Sequence, residues 1–178
     1  VSAIVRAREE WARRLEEAQA DFERLGELVN ECLDSSLLGR DELLLLGCDV
    51  ADRVARDHAQ VSNDERLPSW LELARAGARG TEPDPGVLRK ALNCVKNTPK
   101  RERSSYFDVV YSLLLILAGD SELSDEALII DALLCGTCAP ELLGLIGVTE
   151  EPEDEIRWQA ARVIGYLRGS DLPPVDPL

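Results

Sequence analysis

Trp11, Leu15, Ala18, Phe22, Leu25, Val29 and Cys32 recur at steps of four and three residues, with Ile4 seven residues ahead of Trp11. That repeat lines one face of an α-helix. The surrounding REEWARRLEEAQADFERLGE carries charges that can pair three or four positions apart. The stripe predicts one long N-terminal helix of roughly 30 residues. It has two possible uses: to lie across the chain's own bundle, or to drive self-association through a short coiled coil.

Nothing downstream offsets this helical start, because no segment alternates apolar and polar residues as a half-buried strand would. A second helix is predicted over about 41–59, where LLLLGCDVADRVARDHA is apolar on several faces at first and polar by its end. A short helix follows, with Ser62 or Asn63 as cap and Pro68 in its first turn. GTEPDPG (80–86) is the clearest punctuation and reads as a loop inside one domain. Beyond it come a helix at about 86–97 and then SSYFDVVYSLLLILA (104–118), which has almost no polar face after Asp108 and must be central. A Ser124-capped helix, a short APELLGLIG helix and a last helix close the series. In that last helix acidic residues crowd the first turns, and Arg162 and Arg168 lie toward its end. The fold class is therefore all-α. The expectation is a single-domain irregular helical bundle of about seven helices over 1–170, with repeat-like pairs among the later ones and an extended tail over 171–178.

The longest apolar run, VVYSLLLILAG, is far short of the ~20 residues that a membrane-spanning helix needs. Charge is more informative. The chain holds 34 acidic and 20 basic residues, for a net charge of -14. Residues 104–178 carry 14 carboxylates against only Arg157, Arg162 and Arg168. A field of that sign repels nucleic-acid backbone and anionic membrane and attracts basic proteins. One basic stretch opposes it: Arg89, Lys90, Lys96, Lys100, Arg101 and Arg103. It has no interleaved aromatics for stacking bases, so nucleic acid is a poor candidate partner.

Chemistry-bearing motifs are few. Cys135-Gly136-Thr137-Cys138 has the spacing of a redox pair, which works when one thiol sits at a helix N-terminus that stabilises its thiolate. Gly136 and Pro140 read as breakers, so Cys135 is expected to end one helix and Cys138 to begin the next. For zinc, two more ligands are missing nearby, and His58 is the only histidine. Carboxylate pairs at helical spacing (Glu151/Glu155, Asp49/Asp52, Glu122/Asp125/Glu126) resemble those of helical metal-dependent enzymes, and they also arise by chance in a chain this acidic. No glycine-rich phosphate loop, EF-hand or dinucleotide fingerprint is present, so no cofactor is implied. An odd count of five cysteines does not make a disulfide framework. With no signal-peptide pattern in view, a reducing, cytoplasmic setting is expected.

The balance of these features favours a binding protein over an enzyme. The leading expectation is an acidic protein-interaction module, an inhibitor or immunity-type protein that neutralises a basic partner such as a toxin or nuclease. The candidate partner-binding residues are Glu150, Glu151, Glu153, Asp154 and Glu155. A helical thiol-disulfide oxidoreductase using Cys135 and Cys138, a metal-dependent helical hydrolase, and an oligomer built on the N-terminal helix are the alternatives.

Overall fold

A computed structural model describes the backbone of residues 2–61, 64–119, 121–144 and 152–175, with side chains over the same spans except 56–61, 136–144 and Pro152. Within them the chain is all-α, a bundle of eight α-helices and one 3-10 turn. The helices are α1 (Ala3–Glu17), α2 (Phe22–Asp34), α3 (Arg40–Val61), α4 (Arg66–Ala78), α5 (Pro85–Lys96), α6 (Ser105–Ala118), α7 (Asp125–Gly144) and α8 (Pro152–Arg168). Lys100–Glu102 forms the 3-10 turn.

Helix starts follow local chemistry. Ser104 Oγ accepts from the Phe107 amide at 3.1 Å, Ser124 Oγ from Ala127 at 3.1 Å, and Asp84 from Val87 at 2.9 Å with Pro85 opening α5. Each cap satisfies an amide that the helix itself leaves without a partner. The cap expected at Ser62 or Asn63 lies outside the described residues.

Two expected boundaries move. The long N-terminal helix is broken. α1 ends at Glu17, and Asp21 caps a new helix by accepting from the Arg24 amide at 3.1 Å. Leu15 before this break and Leu25, Val29 and Cys32 after it are all buried, so the stripe is used within the bundle, where α1 and α2 both pack on α8. A coiled-coil seam would need that same face. Conversely, the two helices expected around the C-x-x-C are one: α7 runs unbroken through Cys135, Gly136, Cys138 and Pro140. Burial of the preceding turns at Leu128, Ile129, Ala132 and Leu133 anchors the helix against the weak breaker signals.

At the centre lie α3, α6 and α7. α6 buries nearly its whole surface, including Tyr106, Phe107, Val110, Leu113, Leu114 and Ile116. Each buried leucine or isoleucine contributes roughly 1.5–3 kcal/mol. α3 crosses α6 closely at Gly47, where a Cβ would overlap Leu113 Cδ2. Sequence-distant helices touch throughout (α1 on α8, α2 on α8, α3 on α7). That differs from the neighbour-only contacts of a helical repeat, so the expected repeat-like pairing does not describe the bundle.

The segment after α8 carries no helix or strand as far as residue 175, yet it is held. Arg162 donates to the Pro173 carbonyl at 2.8 Å, and Leu172 covers Gly165 so closely that no Cβ would fit there. No helix among the described residues is long and apolar enough to cross a membrane.

Candidate functional site

The acidic start of α8 divides into two kinds of residue. Glu153 and Asp154 are exposed, and Arg157 lies 3.8 and 3.5 Å from them. Surface pairs of this kind contribute little to stability and leave the carboxylates open to a partner. Glu155 is different: it is fully buried, and Arg53 of α3 donates to it at 3.1 Å. As a contact for a docking partner it is therefore corrected to an internal ion pair, because a carboxylate removed from water must be matched inside. Glu150 and Glu151 lie outside the described residues.

Glu155 belongs to a polar seam between α3 and α8. Gln159 donates to the Leu133 carbonyl at 2.9 Å and to Glu155 at 3.2 Å. Arg162 donates to Asp49 at 3.1 Å, and the Tyr166 hydroxyl donates to the same carboxylate oxygen at 2.6 Å. Burial, then the bond to Asp49, pushes the Tyr166 phenol well above its ordinary value. Arg53 and Arg162 both approach the Trp158 ring, at 5.2 and 5.8 Å from its centroid, which adds cation–π attraction to the ion pairs. Asp52, next along α3, pairs with Arg75 of α4. Beside this seam a cleft of about 500 Å³ is roofed by Leu172 and Pro173 of the tail.

The seam accounts for the Asp49/Asp52 pair and for Glu155 of the Glu151/Glu155 pair among the carboxylates that suggested a metal site. Asp49 and Asp52 are each committed to an arginine, and Glu155 to Arg53. In the third group, Glu126 accepts from Ser36 at 2.8 Å. Among the described residues no three His, Cys, Asp or Glu side chains come together as a metal would require.

The cysteine pair is also placed against its expected role. Cys135 is the eleventh residue of α7 and half-buried, and the Cys138 side chain lies outside the described residues. A mid-helix thiol lacks the free amides and positive dipole end that would lower its pKa. The expectation that Cys138 begins a helix is thus corrected, and with it goes the physical basis of the redox reading. Cys32 and Cys48 are buried, which pushes both thiols up to about 12.

Two further surfaces stand apart from the seam, of which sequence reasoning singled out only the second. The first is an open groove of about 600 Å³ between α6 and α7. Its floor includes Leu115 and Leu128; Leu123 and Leu134 stand on its border, 52% and 61% exposed. Asp108, Glu122 and Asp131 line it as well, and none of the three has an ion-pair partner among the described residues. Burial raises the Asp108 carboxyl above its ordinary value, against the pull of Arg103 and Lys100. The second is the basic stretch. Arg89, Lys90, Lys96, Lys100 and Arg101 are exposed, whereas Arg103 turns inward to the Thr98 and Val95 carbonyls and the Phe107 and Tyr111 rings.

Comparison with protein-family models, with curated proteins and with solved structures finds no match. What this chain does has to be argued from its own surface.

Proposed function

We propose that this chain is an acidic helical protein-interaction module that binds a basic protein, in the manner of an inhibitor or immunity-type protein whose carboxylates cover a cationic cleft. One observation carries the reading. All three cations of residues 104–178 are committed within the molecule: Arg162 to Asp49, Arg168 to Glu9 and Glu16, and Arg157 to Glu153, Asp154 and the Gln19 carbonyl. Exposed carboxylates of that half such as Glu122 and Asp131 therefore face water without an ion-pair partner among the described residues. Such a surface speeds encounter with a cationic partner and disfavours acidic ones. Rigid helical packing beneath it keeps the ordering cost of binding low. Free thiols at Cys32, Cys48 and Cys94 fit a reducing compartment, and we assign the protein to the cytoplasm on that basis.

The test is capture of partners from native cells at low and moderate salt, followed by association kinetics with the protein retained. A stoichiometric basic partner whose on-rate falls steeply with salt supports the proposal. Glu153→Lys with Asp154→Lys should slow association and flatten that salt dependence if α8 faces the partner. A retained partner that is acidic, or one whose on-rate ignores salt, overturns it.

A further inference from the structure

The α6–α7 groove combines three features that do not occur together elsewhere on the described surface. It has an apolar floor. It carries two of the five large hydrophobic side chains that remain exposed among the described residues, Leu123 and Leu134. Its rim carboxylates have no ion-pair partner among those residues. A leucine more than half exposed is ordinary in isolation; two flanking a shared apolar trough mark an interaction surface. Neither α6 nor α7 contains a single lysine or arginine; Lys100 and Arg103 act on Asp108 at one end, and Arg40 bonds to the end of α6 and acts on Asp125 near the other. The charged residues that line the groove itself, Asp108, Glu122 and Asp131, are all acidic.

The dimensions restrict the occupant further. Leu123 lies just before α7 and Leu134 ten residues into it, a span of ~15 Å at the helical rise. That equals about three helical turns. Two helices with a trough between them offer no sheet edge for strand addition, which leaves the helix-in-groove mode, with anchors at i, i+3 or i+4, and i+7. Anionic lipid is disfavoured by the same carboxylates.

We infer that the groove between α6 and α7 is the docking site for a cationic amphipathic helix of the partner, its apolar ridge seated between Leu123 and Leu134 and its lysines or arginines meeting Glu122 and Asp131. This rests on the proposed function and gives it a location. It also moves the principal contact away from the acidic start of α8.

The experiment uses a fluorescein-labelled peptide of about 18 residues built from leucine and lysine, with leucines at helical spacing, long enough to form a stable helix once bound. A scrambled peptide of the same composition reports charge attraction alone. Anisotropy titrations of the full chain should give a Kd on the order of 10 μM for the amphipathic peptide, with the scrambled one at least about tenfold weaker. Leu123→Ser with Leu134→Ser should weaken the amphipathic peptide about tenfold. Both side chains are exposed, so the fold should tolerate the changes. Glu122→Gln with Asp131→Asn should flatten its salt dependence.

Equal affinity for the two peptides, or a serine double variant within about twofold of the parent, overturns the groove assignment. If Glu153→Lys with Asp154→Lys then weakens both peptides, the acidic-binder reading stands while the groove falls. If neither peptide binds at about 100 μM, both fall. A peptide-free dimer that the serine variant dissociates would place a second copy in the groove and overturn the choice of occupant.

Discussion

α6 and α8 both run through the packed body, but they bury opposite materials. α6 conceals hydrocarbon along nearly its whole length, and Ser112 is its one buried polar side chain. α8 conceals Glu155, Gln159 and Arg162 beside Ala160, Val163 and Leu167. The first is held by area, the second by matched charges as well. Burial of area is non-directional and tolerates small rearrangements, whereas a matched charge fixes one partner in one register. The dry contact should therefore supply stability, and the polar seam should determine how α8 sits on α3.

Cutting into the dry side gives the largest expected effect. Leu113→Ala should cost about 4 kcal/mol in urea unfolding, with no change in the α8 contacts. Close behind, Arg162→Met leaves Asp49 with only the Tyr166 hydroxyl and should cost about 3 kcal/mol. The sharper test adds Asp49→Leu to that variant. Recovery of most of the loss would show that the seam confers specificity and not net stability; no recovery would make it a stabilising network in its own right.

Gly165→Ala is expected to cost about 1–2 kcal/mol by lifting Leu172 and the tail off α8. Proteolysis after α8 should become faster in that variant. The smallest effect concerns Asp108. Its carboxyl is raised by burial above the ordinary 3.8, so the folded state holds the proton more tightly than the unfolded chain does. Stability from this group is then greatest below the unfolded value and declines as pH rises through the folded one. Asp108→Asn should raise Tm at pH 7 by no more than about 3 °C, and the advantage should shrink toward pH 4. A gain that persists unchanged at pH 4 would mean that titration is not its cause.

The contrast between the two helices also explains what could be read from residues alone. α6 was legible because an apolar run with a Ser104 cap and almost no polar face can only be central. The polar seam was legible in principle and passed over. Glu155, Gln159, Arg162 and Tyr166 step by four, three and four, the same spacing as the N-terminal stripe, but a polar stripe carries no apolar signal that marks it as inward. Within TEEPEDE, Glu155 has nothing in its residue type to separate it from its exposed neighbours. The break at residues 18–21 was masked for a related reason: α1 and α2 present the same face to α8, so the heptad-like count runs through the gap undisturbed. Asp21 before Phe22 was its one local sign. At Cys135–Cys138 the difference runs the other way, since Gly136 and Pro140 read as an end where the backbone of α7 continues. The α6–α7 groove was invisible because its two leucines are defined by what fails to cover them.

The packing of α1 and α2 on α8 has a consequence for how the chain is made. Both leave the ribosome more than a hundred residues ahead of the helix that covers them. At ordinary elongation rates the apolar face formed by Leu15, Leu25 and Val29 waits on the order of ten seconds for its cover. During that interval the nascent chain presents to the cell an adhesive surface that the finished molecule never shows.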